Sequence, residues 1–349
     1  MKNKILFVHI PKAAGSSVNK FFADYIGLDN CAFHLESNKD WLSQEGRSRI
    51  SSSKRYISGH FPYWDFQSKL NLSEYFVFSF MRDPLEHVIS HLSWIRRLAD
   101  PSEKIRFNAH PEYIKNLALK MKDVNFESGV QIEKFLDELN HHEFSLLDNV
   151  QTRYLRSNNN RGSVNINDVQ AAEINIKLMD DFGLVDDMSD DLERISGKLK
   201  MNAFLESVPK ENFLNQRYGM SINNQIFVEK VNKLIKFDQI LFESIEKEKI
   251  KNQKIVARID RVNQDVIAGW ARFEDLKRCV NLSIFVNNIR LGNVLANLFR
   301  SDLDVKFKKN CAFIFKIPEG FKISGETKVT LASAVSGDFI AEKNFQIEV

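Results

Sequence analysis

The run Ile5-Leu-Phe-Val8, continued by His9-Ile-Pro-Lys-Ala-Ala-Gly-Ser-Ser-Val18, decides how this chain folds. Its first four residues are apolar and β-favouring, which predicts a buried strand. From Ser16 to about Tyr25 the apolar spacing is helical. A short turn of small residues joins the two. Strand, tight turn and helix start aim the first helical amides and the positive end of the helix dipole at one point. Lys12 adds a full positive charge there. Ser16 and Ser17 add hydroxyl donors, and Ala14 and Gly15 keep the turn small. The stretch therefore predicts a site for a phosphate-like anion.

A second anion site follows. Tyr75-Phe-Val-Phe-Ser-Phe80 predicts another buried strand, and Met81-Arg82-Asp83-Pro84 ends it. Leu85, Val88, Ile89, Leu92 and Ile95 then keep helical spacing. Asp83 stands where an N-cap belongs and Pro84 suits a first turn. Arg82 then sits at the carboxyl end of a strand, where open α/β sheets bind ligands. Its guanidinium can give two parallel hydrogen bonds to a terminal phosphate, and Ser90 can add another. Between these motifs, Ile57-Ser-Gly-His60-Phe-Pro62 closes a third short strand. If the sheet is parallel, His60 lies beside the other two strand ends. A histidine there can be neutral near pH 7 and still accept a proton. Tyr63 and Trp64, just beyond, are candidates for lining an acceptor cleft.

A Walker loop carries its lysine after the last glycine, with a hydroxyl behind it for magnesium. Here Lys12 precedes Gly15, which disfavours a metal-dependent NTPase. The loop resembles the 5′-phosphosulfate loop of sulfotransferases that use 3′-phosphoadenosine-5′-phosphosulfate (PAPS). Arg82-Asp83-Pro84 with Ser90 resembles the 3′-phosphate motif of the same family. The Gly59-His60 pair is similar to the one that supplies the general base in carbohydrate sulfotransferases of the heparan and uronyl type. Asp148-Asn149-Val-Gln151-Thr-Arg153-Tyr-Leu155 resembles an Asn-x-Gln-x-Arg-x-Leu element of bacterial members. If that segment is extended, Gln151 and Arg153 share a face. Arg153 is then open to two readings, contact with nucleotide or acidic acceptor and a structural ion pair. One departure stands out: after Arg-Asp-Pro the family usually has Glu-Arg before the helix core, and this chain has Glu86-His87, where a cation is conditional on pH.

The resemblance implies a P-loop-like, three-layer α/β domain with a mainly parallel sheet over roughly residues 1–250. It implies PAPS as co-substrate, held by Lys12, Ala14, Gly15, Ser16, Ser17, Arg82 and Ser90. Lys12 and His60 are the implied catalytic residues; Tyr63, Trp64, Gln151 and Arg153 are the implied acceptor-side residues. The implied acceptor is a carbohydrate hydroxyl on a glycan or glycolipid. A sulfuryl group carries less negative charge than a phosphoryl group, so no metal is required, and the sequence shows no convincing metal cluster. Two other readings stay open: a nucleotide-dependent phosphotransferase, and a glycan-binding protein with a vestigial nucleotide site.

The chain has 349 residues, 43% of them apolar, which is more than one core usually spans. The polar run Glu246-Lys-Glu-Lys-Ile-Lys-Asn-Gln-Lys254 marks a boundary, after which helical spacing gives way to alternation. About seven short strands, with Asn287-Asn288 as a hairpin turn, predict a β-sandwich over residues 255–349. For Trp270 a core place is expected, with stacking on a sugar as the other reading. A formal net charge of +3 lacks the basic excess of a nucleic-acid binder. Cys31, Cys279 and Cys311 are far apart and odd in number, which suits a reducing compartment. With no signal peptide and no membrane span legible, the expectation is a bacterial cytoplasmic enzyme. The sequence does not set an oligomeric state, and a homo-oligomer stays open.

Overall fold

The computed structural model describes residues 2–160, 162–201, 217–251, 253–274, 279–300 and 310–347. It divides into two units, Met1–Phe242 and Glu243–Val349.

The first unit is built on five parallel strands: β1 (Lys4–Val8), β2 (Cys31–Ala32), β3 (Tyr56–Gly59), β4 (Tyr75–Met81) and β5 (Asp181–Leu184), in the order β2-β3-β1-β4-β5. All seven residues of β4 are buried, as a continuous apolar run predicts for a central parallel strand. On one face Ile5, Phe7, Phe76, Phe78 and Phe80 pack with Val18 and Phe22 of helix α1 (Gly15–Ile26) and with Leu192 and Ile195 of the helix Met188–Lys198. Leu6, Val8, Val77 and Met81 point the other way and are equally buried. Both faces are therefore covered, which makes the expected three-layer α/β arrangement. Three further helices matter to the site: α2 (Gln44–Ser53), α3 (Tyr63–Lys69) and α4 (Pro84–Leu98). The Asp83 side chain accepts from the Glu86 amide at 2.9 Å and Pro84 opens the first turn of α4.

Hydrogen bonds between side chains and strands fix the sheet end that carries the motifs. Ser79 Oγ of β4 donates to the Val8 carbonyl of β1 at 2.7 Å. Tyr56 and Ser58 of β3 both donate to Asn19 Oδ1 of α1 at 2.8 Å. Val8 is in register with Gly59 on one side and Ser79 on the other. His9 and His60 therefore leave the sheet side by side, with Arg82 two residues further along the neighbouring strand.

The second unit has two four-stranded antiparallel sheets. Their strands are β6 (Ile255–Val262), β7 (Val266–Phe273), β8 (Val280–Val286), β9 (Ile289–Ala296), β10 (Leu298–Phe299), β11 (Asn310–Lys316), β12 (Gly325–Ser333) and β13 (Phe339–Ile347). The orders are β10-β11-β7-β6 and β13-β12-β8-β9. Ile267, Ala271 and Phe313 from the first sheet and Leu282, Ile284, Val329 and Leu331 from the second share one core, which is the expected sandwich. Asn287 and Asn288 form the β8–β9 turn, both with positive φ (47° and 67°), as a type I′ hairpin requires. Trp270 departs from its expected core place. Gly269 and Ala271 of β7 are buried and Trp270, between them, is half-buried, so its side chain leaves by the opposite face. No helix among the described residues is long and apolar enough to cross a membrane.

Candidate active site

The anion loop joins β1 to α1 through two residues in the left-handed region, Lys12 (φ 65°) and Ala14 (φ 59°). Ala14 is the helix N-cap and has no oxygen-bearing side chain to satisfy the first-turn amides. That leaves the helix end shaped for an external anion. Gly15 is required for a different reason. A Cβ at this position would lie 1.7 Å from His9 Nε2. Ser16 is half-buried and Ser17 is 4% exposed.

Lys12 stands among cations. Its pKa is pushed down to about 8, first by burial and then by the positive charges of Arg82 and Arg97. Its Nζ lies 5.9 Å from the Trp94 ring centroid on α4. Arg82 is half-buried and donates to Glu86 Oε2 at 3.1 Å, and Arg217 donates to both oxygens of the same carboxylate at 3.2 Å. Ser90 is half-buried two turns into α4.

Glu86-His87 has a defined local role. His87 is buried, and its Nε2–H donates to the Pro11 carbonyl at 2.8 Å. Burial pushes its pKa down to about 4, so the ring is neutral and supplies no cation. It braces the anion loop from α4.

His60 follows β3 and is half-buried. Its backbone N–H donates to Glu36 Oε2 at 2.8 Å, and its Nδ1 lies 3.3 Å from Glu36 Oε1. His34 Nδ1 lies 3.2 Å from the same Oε1. His34, Glu36 and His60 thus each bring one nitrogen or oxygen to within 4.8 Å of the others. Burial raises the Glu36 carboxyl, but the hydrogen bond from His34, the charge on His60 and the His60 amide together hold it at about 2. Burial lowers His60 below its ordinary value; Glu36 opposes that, and His34 and Lys12 reinforce it. Tyr154 donates to the His60 carbonyl at 3.3 Å. His9, 4% exposed, sets its ring 4.2 Å from that of His60.

The segment expected to be extended is a helix, Val150–Leu155, so Gln151 and Arg153 do not share a face. Asp238 explains this from 87 residues away. Its buried carboxylate accepts from the Gln151 and Thr152 amides (3.2 and 2.7 Å) and from Thr152 Oγ1 (2.7 Å), capping the helix. Gln151 is fully buried and does not face an acceptor. It accepts from the Arg82 amide at 2.8 Å and donates to the Arg82 carbonyl at 2.9 Å. Arg153 is ion-paired with Asp148 at 2.6 Å. Tyr63 is 3% exposed, so it does not line a cleft as expected. Trp64 does. With Pro62, Tyr113, His142, Arg153 and Asn158 it lines a groove of about 420 Å³.

Residues 1–179 match the sulfotransferase family, a span covering more than half of the chain. The chain belongs to that family. Among solved structures, mouse sulfotransferase SULT7A1 complexed with PAP is similar at 13% identity, with a TM-score of 0.33, over 72% of this chain and 86% of that chain. No curated protein matches. Several side chains of the candidate site are not legible in the sequence. Glu36 and His34 come from the loop after β2, Arg97 from the last turn of α4, and Arg217 from far along the chain. Their partners are set by tertiary contact, and no local spacing signals them.

Proposed function

We propose that this family member moves a sulfuryl group from PAPS to a carbohydrate hydroxyl. One observation carries the reading. The residues after adjacent strands β3, β1 and β4 of one parallel sheet supply His60, the Lys12 loop and Arg82 on the same sheet edge. Lys12 and Arg82 together favour a ligand with more than one negative charge, while Arg97, which also bears on Lys12, is paired with Glu103. Lys12 and the first turn of α1, from Ala14 to Ser17, hold the 5′-phosphosulfate; Arg82 and Ser90 hold the 3′-phosphate. Gln151 acts on the donor side by holding the Arg82 backbone. The acceptor lies along the Trp64 groove, where an aromatic face and side-chain amides suit a sugar.

The acceptor oxygen attacks sulfur, and its proton passes to His60. The bond from sulfur to the 5′-phosphate oxygen breaks, and its electron pair stays on the departing adenosine 3′,5′-bisphosphate (PAP). Lys12 and the loop amides stabilise the charge that builds on that oxygen. A cytoplasmic setting belongs to the same reading and is supported by the three scattered cysteines, which suit a reducing compartment.

Calorimetry and labelled-sulfate transfer test it together. PAP is expected to bind without added metal. Lys12→Ala is expected to weaken that binding and abolish transfer. His60→Ala is expected to keep PAP affinity and lose roughly 10²–10⁴ in turnover. Preference for magnesium-ATP over PAP, or sugar binding with no sulfate transfer, would refute the proposal.

A further inference from the structure

We propose that Glu36 is the positioning residue for His60, fixing the imidazole with Nδ1–H toward the carboxylate and Nε2 bare toward the acceptor hydroxyl. The inference rests on the reading of His60 as general base.

The contact is two-pronged. Oε2 holds the backbone of His60 and Oε1 faces its ring at Nδ1, so one carboxylate fixes both the chain and the imidazole. An ionised carboxylate offers only acceptors. The 3.3 Å contact lacks the alignment of a hydrogen bond and acts through charge: the carboxylate favours the tautomer with hydrogen on Nδ1, and in a neutral imidazole the other nitrogen is then bare. A general base needs that bare nitrogen on the substrate side. When His60 takes the acceptor proton, the resulting cation already has its counter-charge in place.

The fold is arranged to permit this approach. Gly59 has no Cβ; one built there would lie 2.9 Å from Leu35 Cβ and 3.1 Å from Glu36 Oε2. Leu35 is fully buried and anchors the single turn Leu35–Ser37 that presents Glu36. His34, with φ 52°, turns its ring back onto Glu36 Oε1, the oxygen that faces the His60 ring. The depressed pKa of Glu36 keeps it charged throughout the working range. The other titratable groups facing His60 are His9 after β1, Lys12 in the anion loop, His91 on α4, and Tyr154, whose hydroxyl reaches the His60 carbonyl. Of these groups Lys12 and His34 act on His60 as positive charge, burial keeps His9 and His91 neutral, and Glu36 is the negative partner.

Glu36→Gln tests the assignment with little change of shape. The glutamine carbonyl can still accept from the His60 amide, but its NH2 then faces Nδ1 and favours the tautomer with hydrogen on Nε2. Turnover is expected to fall roughly 10²-fold or more, as for a base held in the wrong tautomer. Acceptor KM and PAP affinity stay within twofold. The acid limb of kcat moves to lower pH, because the carboxylate that raised the His60 pKa is gone. Glu36→Asp, which keeps the charge, is expected to recover part of the loss. Turnover of Glu36→Gln within twofold of the parent would overturn the inference, and so would a parallel loss of PAP binding. Loss of parent activity on treatment with EDTA would overturn it too, since a cation among the three side chains would then occupy Nδ1. If His60→Ala is impaired and Glu36→Gln is not, only the positioning role fails; if His60→Ala is unimpaired, the base reading fails first.

Discussion

Gly15→Ala adds one methyl group at the most confined point of the anion loop. The new Cβ would sit 1.7 Å from His9 Nε2, 2.1 Å from Cδ2 and 2.2 Å from Cε1. Ordinary contact begins at 3.4 Å, so ring and loop must part by the difference, about 1.7 Å. His9 has little room to retreat. Its ring stacks on Phe7 at 5.2 Å and meets His60 edge-on at 4.2 Å. The loop must move instead, and it carries Lys12, Ala14 and the first turn of α1. Overpacking of this kind costs about 1–3 kcal/mol of stability, which lowers the melting temperature by a few degrees. A loop displaced by more than 1 Å loses aligned hydrogen bonds to a phosphate, so PAP affinity is expected to fall at least about tenfold. Calorimetric titration with PAP and a thermal melt measure the two effects separately. Adding His9→Ala to the variant removes the clash and should recover part of the affinity. Unchanged PAP affinity in Gly15→Ala, or a double variant no better than the single one, would refute the argument that the histidine ring sets the loop position.

His87→Gln is expected to flatten the acid side of the stability profile. His87 is held to about 4 in the fold against about 6.5 unfolded, so its contribution is present above pH 6.5 and is lost as pH falls from 6.5 toward 4. That contribution is at most about 3 kcal/mol, and His9 and His91 add in the same direction. Glutamine keeps a donor for the Pro11 carbonyl and does not titrate; melts of parent and variant that run parallel from pH 7 to 5 would count against the assignment. Gln151→Ala leaves both backbone groups of Arg82 without their buried partner, at about 1–3 kcal/mol. PAP affinity is expected to drop roughly tenfold, and an unchanged Kd would show that Arg82 is held by other contacts.

Local signals carried much of the framework. The apolar runs 5–8 and 75–80, the helix start at Ser16 and the Asp83-Pro84 cap each depend on neighbours within a few residues, and all are legible in the chain. So is the change to alternation beyond residue 254, down to the Asn287-Asn288 turn. What stayed hidden depends on distant partners. The helix over 150–155 is capped by Asp238, far outside any local window, and reads as an extended segment without it. Glu36 acquires its meaning only when β2 and β3 pair and Gly59 lets the chains approach. His87 reads as a conditional cation until the Pro11 carbonyl is found against its ring. Trp270 alternates as a strand residue should, but alternation alone does not say which face is covered.

The lowered pKa of Lys12 ties ligand capture to proton traffic. Burial and the neighbouring positive charges of Arg82 and Arg97 bring the ammonium to give up its proton near pH 8. A polyanion arriving beside it reverses that balance and restores the affinity for hydrogen ions. Above about pH 8, docking the nucleotide must therefore draw a proton from the medium, and the heat released will vary with the ionisation enthalpy of the buffer chosen.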